Sequence, residues 1–168
     1  MSISMYQASV PVFVRTLTML SKLLDKAAAH AQAKKFDEAA LLGMRLYPDM
    51  YPLSKQVQVA CDAAKLCVTR ISGVEAPKYD DTEKTIEELK QRIANTIDYL
   101  NSVPREALDG TEEKPVSLKA GPNELHFKAQ DYLLNFATPN MYFHAVTAYD
   151  ILRNNGLEMG KRDYLNLG

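Results

Sequence analysis

The sequence predicts one mainly helical domain, residues 1–168, built as an up-and-down four-helix bundle with a small β-hairpin between helices three and four. Three observations predict it. Four long stretches set apolar residues at three- and four-residue steps. Capping and stop residues bracket those stretches. A single segment, before the last stretch, changes to a period of two. The chain, at 168 residues, is long enough to bury a core, and its 46% hydrophobic and 24% charged content is that of a folded domain.

The first helix is expected over 8–33. Val10, Phe13, Val14, Leu17, Ser21, Leu24 and Ala28 form its stripe, and Pro11 is tolerable only near a helix start, where its missing N–H costs nothing. Asp37 then caps a short helical piece ending at Leu42. The second long helix is expected over 50–72, capped by Asp49, with Pro52 in its first turn and Gly73 as its stop. Its buried face reads Leu53, Gln56, Ala60, Ala63 and Cys67, with Ala64 and Ile71 beside it, so a neighbour can approach closely.

The third helix, over 82–103, starts at a cap by Asp81 or Thr82 and buries Ile86, Leu89, Ile93, Ile97 and Leu100. Glu88 and Arg92 form an i,i+4 pair on its flank, and Pro104 ends it. Val116 and Leu118, then Gly121-Pro122-Asn123, then Leu125 and Phe127 read as the hairpin. A short helical stretch follows over 129–136. Thr138-Pro139 opens the last long helix with a cap and an N1 proline, and Gly156 closes it after 155.

Acidic and basic residues nearly cancel, 21 against 20, which removes any general electrostatic reason to expect a nucleic acid or an anionic membrane as partner. No apolar run approaches the roughly 18 residues of a membrane span, and a cytoplasmic location is the default expectation. Cys61 and Cys67 share one predicted helix, with Cα atoms about 9 Å apart and side chains about 120° apart on the wheel. That separation exceeds the roughly 7 Å reach of a disulfide, so two reduced thiols with a packing role are expected.

The last helix carries the most chemistry. Met141, Ala145, Ala148 and Leu152 define its buried face; His144 and Ile151 take one shoulder and Tyr149 the other. His144 therefore points to the interior or to a cleft opening from it. It is either a core histidine bonded to a carbonyl or a tyrosine, or a ligand, a general base or a substrate-binding donor. Gln56 is the other polar side chain on a buried stripe; it bonds across helices to set their register, or lines the same pocket as His144. His30 and His126 are expected to face solvent, so a three-histidine metal site is not expected.

Asp62 and Lys65 read as outward groups in solvent or surface pairs. Arg153, Lys161 and Arg162 are either an anion-holding cluster or an ordinary solubilising surface. Phosphate-loop, dinucleotide, zincin, CxxC and nucleophile-elbow signatures are absent.

The run Pro139-Asn140-Met141-Tyr142-Phe143-His144-Ala145-Val146-Thr147-Ala148-Tyr149-Asp150-Ile151-Leu152-Arg153, followed by Asn155-Gly156 and Gly160-Lys161-Arg162-Asp163-Tyr164-Leu165, is one of two blocks that carry a resemblance. The other is Leu46-Tyr47-Pro48-Asp49-Met50-Tyr51-Pro52 with Gln56-Val57-Gln58, Cys61-Asp62 and Lys65. Together, over nearly the whole chain, they resemble a domain-of-unknown-function family grouped with the DinB-like and YfiT-like helical bundles, a superfamily of metalloenzymes. The resemblance implies a four-helix core, often homodimeric, with a site between helices two and four. Its metal-bearing members place one histidine on the second helix and an HxxxH pair on a later one, so that the imidazoles meet one ion.

Here His144 matches the first member of the pair, Ala148 stands at the second, and Gln56 is the inward polar residue of helix two. His144 is thus the single plausible ligand, no cofactor is expected, and a divalent transition metal remains the alternative. The leading functional expectation is a small ligand in the inter-helix cleft, met by His144, Gln56 and Tyr149, with no complete metal triad. The alternatives are a metal-dependent hydrolase or thiol-linked transferase, and a non-catalytic homodimeric interaction domain.

Overall fold

A computed structural model describes residues 3–167, so the outermost positions of the expected domain lie outside the described residues. The chain is mainly helical with one two-stranded antiparallel hairpin, as expected. Helix α1 (Met5–Lys34) starts earlier than the pattern implied, because Ser4 and Gln7 close a reciprocal capping box. Pro11 consequently sits inside the helix rather than at its start. Helix α1 touches α2 (Glu38–Leu42), α3 (Leu53–Ser72), α4 (Ile86–Ser102) and α6 (Thr138–Asn154), so its buried arc is wider than one stripe. Ser9, Leu20, Leu23 and Ala27 lie inside that arc, while Val14, Ser21 and Ala28 fall at its half-buried edge.

Asp37 caps α2 as expected, accepting from the Ala39 amide. Asp49 does not cap α3. That helix begins at Leu53 with Pro52 outside it, since the preceding turn is tied by Met50 N–H to the Tyr47 carbonyl and Leu53 N–H to the Met44 carbonyl. Gly73 ends α3 in a left-handed conformation, φ 80°, which glycine adopts without steric cost. The cap of α4 is Thr85, not Asp81 or Thr82: its hydroxyl accepts from Glu88 N–H while the Glu88 carboxylate accepts from Thr85 N–H. Glu88 is therefore spent on its own helix start and does not pair with Arg92.

A short 3₁₀ turn (Arg105–Ala107) leads to strands β1 (Pro115–Ala120) and β2 (Asn123–Lys128), which pair Val116 with Phe127 and Leu118 with Leu125 around a two-residue turn. Helix α5 (Ala129–Tyr132) then runs without a break through a π-helical turn (Leu133–Ala137) into α6. Thr138 is thus an interior residue with a buried, unpaired hydroxyl, not a cap. The wide turn ahead of Pro139 absorbs the amide hydrogen bond that proline cannot make. Gly156 closes the helix at φ 88°, and α7 (Lys161–Tyr164) lies against α1 through Lys26–Asp163 at 2.5 Å and Arg15 to the Leu165 carbonyl at 2.7 Å.

Around the bundle, α3 lies against α6 and α4, and α1 against α4 and α6. The ring order is therefore α1, α4, α3, α6, and the chain crosses the bundle diagonally on its way from α1 to α3 and from α4 to α6. The α3–α6 contact is the most extensive among the described residues, and both helices bury small residues, Ala60 and Ala64 on α3 and Ala145 and Ala148 on α6, that permit close approach. No helix of the described residues is long and apolar enough to cross a membrane.

Candidate functional site

The α3–α6 contact carries two polar side chains into the interior, as their positions on the two stripes required. Gln56, in the first turn of α3, is 1% exposed, and His144 on α6 is 8% exposed. They are brought together: His144 Nδ1 lies 2.7 Å from Gln56 Oε1. The Gln56 amide is itself oriented, because its Nε2 donates to the Tyr51 carbonyl at 3.0 Å. An amide oxygen only accepts, so the imidazole proton sits on Nδ1 and is donated to Gln56. The neutral ring then keeps its lone pair on Nε2, which has no partner in the chain among the described residues. Burial lowers the His144 pKa from its ordinary value, which favours this neutral form.

His144 lines a hollow of about 210 Å³ with Asp49, Met50, Tyr51, Gln56 and Phe143, and its Nε2 is not among the fully buried unpaired atoms. The Tyr51 ring lies at 6.5 Å and near parallel to the imidazole, and the Phe143 ring meets it edge-on at 5.2 Å. Both aromatic rings are half exposed, so the hollow opens to solvent. The segment before α3, whose residues 50–52 were expected as the first turn of that helix, thus supplies one wall through Asp49, Met50 and Tyr51. Two tyrosines and one aspartate within Leu46–Tyr51 were the available signal.

Tyr149 is not part of this arrangement. It packs edge-on against Tyr164 at 5.9 Å and lines a separate hollow with Val146, Asp150, Lys161 and Tyr164. His30 lies against the Phe36 ring, and exposed His126 meets the Ser117 hydroxyl at 2.8 Å, so the three histidines remain on separate elements. Arg153 and Arg162 donate to the Leu157 and Leu167 carbonyls, each closing a local turn.

The residues do not fit the metal implied by the resemblance. Ala148 has no donor atom at the second HxxxH position, and the Gln56 oxygen is taken up by the His144 N–H. No group of three or more His, Cys, Asp or Glu side chains converges as a metal site among the described residues. The thiols are equally unsuited to chemistry: burial pushes Cys61 up to about 12, and raises Cys67 as well.

A second polar cluster escaped the pattern. Arg92, read as a flank residue, has a guanidinium only 1% exposed, held by Asp81 at 2.6 Å, Glu83 at 2.9 Å and Asp62 at 3.1 Å. Asp62 and Lys65, read as outward groups, belong to the same cluster: Lys65 is buried, pairs with Asp62 at 3.1 Å, donates to the Pro77 carbonyl and lies 4.0 Å from the Tyr79 ring. The physical reason is that α3 is enclosed on more than one side, and the segment 74–85 folds over the face taken as solvent-exposed. Position 92 lies three residues after Leu89 and four before buried Thr96, so the stripe did contain the signal.

A family model described as a domain of unknown function (DUF1993) matches residues 5–165. A crystal structure of a DinB family member protein from Shewanella denitrificans is similar to this chain at 40% identity and a TM-score of 0.85, covering 95% of this chain and 90% of that one. No curated protein matches.

Proposed function

The chain belongs to the DUF1993 family, with a DinB-like fold, and from that premise we propose that it binds a small organic ligand in the hollow beside His144, with no complete metal triad. One observation carries the reading: the chain Tyr51 carbonyl, Gln56 amide, His144 imidazole fixes the ring orientation and leaves Nε2 as an open acceptor. A histidine that only filled the core would have both nitrogens satisfied. Building a two-step hydrogen-bond chain to present one lone pair to a solvent-open hollow fits a binding role better.

The test is a fragment library of mixed charge, read by the ring-nitrogen NMR signals of His144. Compounds should perturb those signals and lose binding in His144→Leu. A ring protonated on Nε2 instead of Nδ1, or hits that persist unchanged in the variant, would sink the reading.

A second reading is favoured by a specific surface. Tyr142, Phe143 and Val146 on α6, with Met44, Leu46, Tyr47 and Tyr51 from the preceding connection, are exposed large apolar residues. Such a surface suits contact with a second copy of the chain. The two readings are compatible, since Phe143 and Tyr51 border both the hollow and this surface.

A further inference from the structure

The donors and acceptors of the His144 hollow are unbalanced, and the imbalance names a ligand chemistry. One of the two Gln56 amide N–H groups is spent on the Tyr51 carbonyl, and the imidazole N–H on the Gln56 oxygen. Of the lining side chains, the donors left are the Tyr51 phenol and the second N–H of the Gln56 amide, on a side chain only 1% exposed. The free side-chain acceptors are Nε2 of His144 and the carboxylate of Asp49. Asp49 is exposed and takes part in none of the ion pairs among the described residues. Neither neighbouring cation lines the hollow: Arg45 donates to the Met50 carbonyl at its margin, and Lys55 pairs with Asp81 at 2.6 Å. The rest of the lining is Met50 and the aromatic residues Tyr51 and Phe143.

Resting on the ligand-binding reading above, we infer that the site takes a small primary ammonium carried on a flat apolar body. One ammonium N–H meets Nε2 and another meets the Asp49 carboxylate, a charge-assisted contact. The rings of Tyr51 and Phe143 receive the apolar body and add attraction for the cation through their electron-rich faces. An anionic ligand finds the opposite: a carboxylate, a lone pair and two aromatic rings, with only the neutral phenol and one buried amide N–H to offset them. The lowered His144 pKa acts in the same sense, because a neutral imidazole accepts where an imidazolium would repel. At about 210 Å³ the hollow is smaller than the roughly 300 Å³ at which sites for drug-sized ligands begin. An arylmethylamine is of suitable size.

The experiment uses the full chain at pH 7.5 with three isosteric probes, benzylamine, benzyl alcohol and benzoate, read by the His144 ring signals. Benzylamine should bind with a Kd on the order of 1 mM, with the alcohol and benzoate at least about fivefold weaker. Asp49→Asn, at an exposed position with no partner, should weaken benzylamine roughly two- to fivefold, the range an exposed ion pair supplies, and leave benzyl alcohol unchanged. Equal or tighter binding of benzoate or the alcohol overturns the ammonium assignment and leaves the pocket standing. Benzylamine binding unaffected by Asp49→Asn overturns it too. If none of the three probes moves His144, both the assignment and the pocket reading fall.

Discussion

At the residue scale, His144 shows how one side chain can be legible in position and illegible in state. Its place on the α6 stripe required an inward ring, and the stripe of α3 likewise turned Gln56 inward. That the two touch, and which nitrogen holds the proton, depended on the Tyr51 carbonyl, which no periodicity reports. Burial lowers the His144 pKa, so the unfolded chain takes up the proton first as pH falls. The sign follows: the stability due to this group is complete above about 6.5, the ordinary histidine value, and is lost as pH falls through the lower folded value. An NMR titration of the ring should place its midpoint below that ordinary value, and the slope of stability against pH in that window should flatten in His144→Leu. A midpoint above the ordinary value would contradict the desolvated environment. Gln56→Leu, which orphans the Nδ1 proton beside a hollow, should cost about 1–3 kcal/mol in denaturant unfolding.

At the scale of elements, the caps reveal what local reading missed and why. Ser4–Gln7 and Thr85–Glu88 are both S/T-x-x-E/Q boxes and were readable as such; Asp49, Asp81 and Thr138 looked equally good and have other surroundings. Asp81 binds Lys55 and Arg92 instead, and its pKa is lowered by the Lys55 hydrogen bond first and then by Arg92. The Arg92 guanidinium fastens the 74–85 segment to α3 and α4, with Tyr79 donating to or accepting from Thr96 at 3.0 Å nearby. Burial alone would lower the Arg92 pKa, but hydrogen bonds to Glu83 and Asp81 and the charge of Asp62 raise it, so the group stays charged. Its carboxylate partners are part-exposed and can rehydrate, which reduces the cost of losing it relative to a fully buried pair. Arg92→Ala should therefore destabilise by about 2–3 kcal/mol and raise amide exchange first across 74–85. A loss under about 0.5 kcal/mol with unchanged exchange there would show that the cluster is not the fastening.

At the scale of the whole molecule, the bundle leaves an apolar, aromatic-rich surface on α6 and the 44–51 connection uncovered. If a second copy covers it, light scattering should show a dimer at high concentration, and Val146→Glu should shift the population to monomer without loss of helix. A monomer throughout would rule that surface out as a homodimer contact. Composition and periodicity by themselves determined the mainly helical class, the hairpin and the inward turn of His144 and Gln56, because each is a property of neighbours within a few residues along the chain. The ring order of the helices, the burial of Arg92 and Lys65, the unbroken passage from α5 into α6, and the wall that Asp49 and Tyr51 give the hollow were decided only by tertiary structure. Each of these depends on which segments meet across long sequence separations, and helical spacing records that a face is covered without recording what covers it.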